Sequence, residues 1–187
     1  MQHIAIISAS VREGRISHRV AMYFKKYIEE NQIAEVEMLD LQAFQFPVFN
    51  ERLSLQVQPS QQALVFAGKI KNADGIIIVT PEYNGGYPAS LKNIMDLLYI
   101  EWFHKPIAIA TASGGPFGGA QVITSLQFSL WKMKAWTVPA MFPVPFVQDS
   151  FDEQGNPVDK LQTDKRAELF LGELCWCMEA VSRMENR

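Results

Sequence analysis

The sequence predicts a doubly wound α/β fold on a parallel sheet, and three observations carry that expectation. Its strongest strand signals, residues 4–7, 76–80 and 106–110, are unbroken apolar runs rather than alternating ones, as strands covered by helices on both faces require. Between the runs, apolar residues return every three or four positions in segments joined by short polar connections, and such strand–helix alternation builds parallel sheets. The 187 residues are 48% hydrophobic and 20% charged, which suits one globular core and excludes wholesale disorder. The predicted organisation is one domain spanning 1–187.

Each element follows from its own residues. Ile4, Ala5, Ile6 and Ile7 form the first strand, ending at Ser8, Ala9 and Ser10. From Ser17, the expected N-cap, Val20, Tyr23, Phe24, Tyr27 and Ile28 share one helix face, with Lys25, Lys26, Glu29 and Glu30 opposite. Residues 34–39 alternate Glu35 and Glu37 with Val36 and Met38, the pattern of a half-exposed strand at or near a sheet edge. Pro47 makes the aromatic stretch 44–50 a loop, because proline lacks the donor that a central strand or helix interior needs. A second helix is expected to begin near Pro59 and Ser60 and to end by residues 72–75, and Pro81 is expected to stop the strand that follows at 76–80. A third helix starts near Pro88 and places Leu91, Ile94, Met95 and Leu98 on one face, and Ser113, Gly114, Gly115 and Pro116 end the strand begun at Pro106. A helix at 121–132, a fifth strand at 136–140, a turn at 153–156 and a long helix at 163–184 complete the chain.

Several function classes lose support on composition and spacing. With 17 Lys+Arg against 20 Asp+Glu and a net charge of −3, there is no general basic surface for nucleic acid. No stretch approaches the roughly 18 apolar residues of a membrane helix, and residues 1–4 enter an apolar run without a leader pattern, so a cytoplasmic protein is expected. Cys175 and Cys177 flank Trp176 on different sides of a helix and are expected to be unpaired core thiols, since neither C-x-x-C nor a paired zinc spacing occurs. His3, His18 and His104 are scattered, which disfavours a metal centre. Ser113 lacks the leading glycine of a G-x-S-x-G elbow, which disfavours a hydrolase. The acid pairs Glu29/Glu30 and Asp152/Glu153 lie on a polar helix face and in a turn, where solvation is expected.

In a doubly wound sheet ligands bind beyond the carboxyl ends of the strands, so the loops after the first, third and fourth strands matter most. Residues 8–18 link a strand to a helix N-terminus and offer hydroxyls, backbone N–H groups and arginines, a donor set suited to a phosphate monoester. Neither G-x-G-x-x-G nor Gly-Lys-Ser/Thr is present, which argues against a Rossmann dinucleotide site and a P-loop. The alternative for Arg12, Arg15 and Arg19 is plain solvated charge. The loop from Pro81 to Pro88 has glycines at 85 and 86 and tyrosines at 83 and 87, which suit a flat ring as well as a simple turn. Residues 113–119 contain four glycines, more than a strand-to-helix turn requires.

Together, Ser10-Val11-Arg12-Glu13-Gly14-Arg15-Ile16-Ser17, the run Thr80-Pro81-Glu82-Tyr83-Asn84-Gly85-Gly86-Tyr87-Pro88-Ala89-Ser90-Leu91-Lys92-Asn93 and Ser113-Gly114-Gly115 resemble the NADPH-dependent FMN reductase family. These are flavodoxin-like proteins that include quinone, chromate and azo-dye reductases. The resemblance implies a five-stranded parallel sheet of order 2-1-3-4-5 in three α/β/α layers, with bound FMN. By it, Ser10, Arg12 and Ser17 would hold the FMN phosphate, with His18 beside them in the cofactor set. Pro81, Glu82, Tyr83, Asn84 and Gly85 would border the ring, and Ser113, Gly114 and Gly115 would touch its polar edge or ribityl chain. Many members have glycine where Ala9 stands, and residues 18 and 19 also depart from the family pattern.

No catalytic side chain is expected, because in such proteins the flavin carries the chemistry. NADPH, or NADH, would serve as reductant, followed at the same site by a small-molecule electron acceptor such as a quinone, free flavin, azo compound or metal ion. Arg15 or Arg19 could meet a 2′-phosphate or remain a surface charge. Trp102, Phe103 and Phe117 lie on or near these loops, so a homodimer completing the pocket is expected, with a homotetramer as the alternative. The competing reading is a flavodoxin-like electron carrier or FMN-binding module without a nicotinamide step. A charge of −3 is mild for a protein steered to partners by its field, which favours the enzyme.

Overall fold

Five strands, β1 (His3–Ser8), β2 (Glu35–Asp40), β3 (Gly75–Pro81), β4 (Pro106–Ala112) and β5 (Trp136–Val144), form one sheet in the order β2-β1-β3-β4-β5, as the resemblance implies. All four pairings are parallel. The computed structural model describes residues 2–185; Met1, Asn186 and Arg187 lie outside the described residues. Seven helices connect and cover the strands among these residues: α1 (Ser17–Glu30), α2 (Leu41–Phe44), α3 (Gln61–Asn72), α4 (Ala89–Leu97), α5 (Ala120–Lys132), α6 (Val147–Ser150) and α7 (Lys160–Glu185).

The apolar runs sit where their lack of polar faces demands. β3 and β4 are buried at every position, and β2, with its alternating glutamates, is an edge strand. Side chains of successive strand residues point to opposite faces, so β1 feeds two cores. Ile4 and Ile6 pack with Phe24 of α1, Phe142 of β5 and Phe170 of α7. Ala5 and Ile7 pack with Phe66 of α3, Ile94 of α4 and Leu126 of α5. The three layers are therefore α1 and α7, the sheet, then α3, α4 and α5.

Some boundaries differ from expectation for identifiable reasons. Ser17 lies inside α1 rather than capping it; Ile16 holds the N-cap position and no side chain caps the helix. β3 runs through Pro81, since a proline ending a strand loses only its last ladder bond. β5 continues past residue 140 to Val144, and its register against β4 shifts between Ile107 and Ile109, an irregularity that an edge strand containing Pro139 tolerates. α7 begins three residues early, at Lys160. Both thiols are free, but only Cys177 is buried; Cys175 is half-buried, and burial raises the pKa of each. Trp102 is fully buried in the α3–α5 core, so it cannot wall a surface site. No helix among the described residues is long and apolar enough to cross a membrane.

Candidate functional site

Parallel strands end together, so the loops after β1, β3 and β4 converge along one rim. Ser10, fully buried, joins the first two. Its Oγ accepts the Arg12 N–H at 3.2 Å and shares a 2.8 Å hydrogen bond with the Tyr83 hydroxyl. Arg15 donates to the Ser10 carbonyl at 2.8 Å while gripping both carboxylate oxygens of Asp40 at the end of β2. Just before this hub, Ala9 donates to the Val79 carbonyl at 3.0 Å and accepts from Ser90 Oγ at 2.5 Å. Ala9 does not adopt a positive φ, so the backbone there accepts alanine without strain.

The three arginines separate. Arg15 is held by Asp40 and Ser10, and Arg19 donates to the Phe151 carbonyl at 2.8 Å. Arg12 is exposed and enters no ion pair among the described residues. Burial would push the Asp40 carboxyl up, but the hydrogen bonds from Arg15 and the Gln42 amide outweigh it and hold the carboxyl below the usual range. His18 shares a 2.9 Å hydrogen bond with Ser8 through Nδ1, and burial, followed by the nearby Arg15 charge, lowers its pKa against a smaller opposing pull from Asp40.

The second loop is a two-residue hairpin turn. Asn84 and Gly85 both have positive φ, at 53° and 77°, and Tyr83 and Gly86 exchange backbone hydrogen bonds of 2.8 and 3.0 Å. Asn-Gly suits this type I′ geometry because both positions must be left-handed. Glu82 turns away from the turn and accepts the Gln121 and Val122 amides at 3.0 and 3.3 Å, supplying the cap that Gly119 cannot give to α5. In the third loop, Ser113 pairs with the Val144 carbonyl and the Val147 amide, and Thr111 Oγ1 donates to the Gly118 carbonyl at 2.7 Å. Gly118 is obligatory: its φ is 62°, and a Cβ would lie 3.0 Å from the backbone nitrogens of Val144 and Pro145.

A cleft of about 270 Å³ brings Arg12, Arg15, Ser17, Pro81, Glu82, Tyr83, Ser113 and Gly114 together. Ser10, His18, Asn84, Gly85 and Gly115 do not line it; Ser10 and His18 lock loops from beneath, and Asn84 and Gly85 shape the turn beside it. Val147 and Gln148 of α6 also line the cleft. Sequence reasoning missed them, and the only available signal was their place just after β5 in an unassigned stretch. A separate, mostly apolar hollow of about 820 Å³ lies between Val11, the 41–49 segment and the start of α4.

Comparisons bear on this rim. The sequence profile of the family described as NADPH-dependent FMN reductase matches residues 2–149. An NAD(P)H-dependent FMN reductase of Saccharomyces cerevisiae is 35% identical over 144 residues, covering 70% of this chain and 74% of that protein. One from Schizosaccharomyces pombe is 32% identical over 142 residues, covering 74% and 70%. Among solved structures, FerB, the flavoenzyme NAD(P)H:(acceptor) oxidoreductase of Paracoccus denitrificans, superposes with a TM-score of 0.74 over 96% of this chain and 98% of its own, at 22% identity. That last likeness concerns the fold.

Proposed function

The chain belongs to the NADPH-dependent FMN reductase family, and on that premise we propose an NAD(P)H-dependent oxidoreductase that binds FMN at the rim formed by the β1, β3 and β4 loops. The observation that carries this reading is the donor set of the cleft. The exposed Arg12 guanidinium and the uncapped first turn of α1 at Ser17 meet there, two positive ends suited to one phosphate group. Glu82 lines the same cleft, but its carboxylate is held by the amides at the positive end of α5, which offset part of its charge.

Residues of this chain then have distinct tasks. Arg12 and the Ser17 turn bind the phosphate. Pro81, the Tyr83 to Gly86 turn, Ser113 and Gly114 offer backbone and an aromatic wall to the flat ring. Ser10, Glu82 and Thr111 hold those loops together through the hydrogen bonds described above. FMN bound there supplies hydride acceptance from NADPH or NADH and electron transfer to an acceptor, so the protein needs no acid–base pair of its own. The apolar hollow beside Val11 has room for the body of a quinone, free flavin or azo compound. All of this fits one domain acting in the cytoplasm, where the free thiols Cys175 and Cys177 stay reduced.

A second copy of the chain completes the pocket. Phe117, 78% exposed at the rim, and the exposed Val48 lining the apolar hollow are more apolar surface than a monomer keeps near a binding site without use. The reading is tested by anaerobic mixing of the FMN-loaded protein with NADPH and then NADH. Flavin absorbance should bleach with at least one and return on addition of a quinone. Absorbance unchanged by both nicotinamides refutes the nicotinamide step.

A further inference from the structure

Asp40 lies outside the cleft, at the end of the edge strand β2, yet its carboxylate reaches the loop that the preceding reading assigns to the FMN phosphate. We propose that Asp40 is a positioning residue for FMN: it clamps Arg15, Arg15 clamps the Ser10 carbonyl, and the chain so formed holds the β1–α1 loop in its phosphate-receiving shape. The inference rests on the FMN reading and adds a residue to it from a strand that contributes nothing to the cleft itself.

The geometry is built for holding. Arg15 uses its fork on both Asp40 oxygens and still donates from Nη1 to the Ser10 carbonyl. Its side chain is only 12% exposed, and that of Asp40 only 21%, so the pair is shielded from solvent competition. Asp40 is itself fixed by the Gln42 amide at 3.0 Å, as the N-cap of α2. At the far end, Ser10 Oγ fixes the Arg12 N–H and the Tyr83 hydroxyl, so moving the Ser10 carbonyl moves the base of Arg12 and its contact with the second loop together. Arg15 also lines the cleft, but with its charge paired to Asp40 it acts as a strut, whereas Arg12 is the exposed cation without an ion pair among the described residues.

Simple electrostatics and positioning give opposite signs, which makes the test sharp. Removing a negative charge near a phosphate site should tighten FMN binding if charge alone matters. Positioning predicts that Asp40→Asn weakens FMN binding, by about tenfold for a lost charge-assisted bond, with kcat unchanged at saturating FMN. Arg15→Lys, which keeps the charge but loses the fork, should weaken it to the same extent. The double variant should be no weaker than either single, because both changes break one strut. FMN affinity is read by flavin fluorescence titration, and amide hydrogen exchange of the FMN-free variants should quicken at residues 10–17 and not in α7. Equal or tighter FMN binding by Asp40→Asn or by Arg15→Lys, multiplied losses in the double variant, or unchanged exchange at residues 10–17 overturns the inference while the functional reading stands. A wild-type chain that takes up no FMN overturns both.

Discussion

Arg12, Arg15 and Arg19 carry one charge each around a single loop and helix start, and their surroundings give them different work. Arg15 and Arg19 are committed to Asp40 and to the Phe151 carbonyl, whereas Arg12 is exposed and enters no ion pair among the described residues, which is why the proposed function gives it the phosphate. Arg12→Ala should therefore weaken FMN binding by about 1.5–3 kcal/mol, the scale of a hydrogen bond to a charged group. Unchanged affinity in a fluorescence titration would make Arg12 an ordinary solvated charge. His18 gives a pH signature. Its folded-state pKa lies below the unfolded value of 6.5, chiefly because burial disfavours the charged ring. The unfolded chain then binds more protons between those two values, so the stability linked to His18 is complete above pH 6.5 and is lost as pH falls through it. Urea unfolding at pH 7.5 and 5.5 should show this loss in the wild type, and His18→Asn should show a smaller one.

Among the elements, α5 depends most on a residue outside itself. Its N-cap position is Gly119, with φ of 78° and no side chain, and Glu82 from the β3 loop accepts two of its first amides instead. The second and third loops of the cleft are thereby coupled through one carboxylate. Glu82→Ala should cost about 1 kcal/mol of stability, the usual value of an N-cap, and a thermal melt should fall by ~2–4 °C for a chain of this size. A melt unchanged by the substitution would show that solvent serves those amides equally well. The same bond explains why Glu82, expected from the resemblance to border the ring, lines the cleft with its charge already occupied.

For the whole molecule, the sheet uses both faces for packing, which leaves its carboxyl-end rim as the place where the three loops meet. With α1 and α7 on one side and α3, α4 and α5 on the other, the described residues form one layered unit, and under the proposed function reductant and acceptor meet at its rim. Light scattering at working concentration should give twice the 21.2 kDa chain mass, with Phe117→Ser shifting the equilibrium toward monomer. A monomeric wild type would remove the second copy from the pocket.

How much of this was legible follows from the range over which each interaction acts. Strand and helix identities rest on the period of apolar residues, a local property, and β3, β4, α1 and α3 could be read from runs such as 76–80 and the repeat from Val20 to Ile28. The Asn84-Gly85 turn was readable for the same reason, since left-handed backbone selects those residue types. The committed partners of Ser10, Arg15, Arg19 and Glu82 were not, because each lies on another loop or strand, and a sequence holds no record of which charges will meet across it. Trp102 illustrates the same limit: an aromatic residue near a binding loop reads alike whether it faces a ligand or a core. The sequence by itself determined the doubly wound architecture and the loops that could bind a phosphate and a ring. Only the tertiary structure decided which side chains remain free to bind and which are consumed in holding the loops, because that division depends on contacts between residues far apart in the chain.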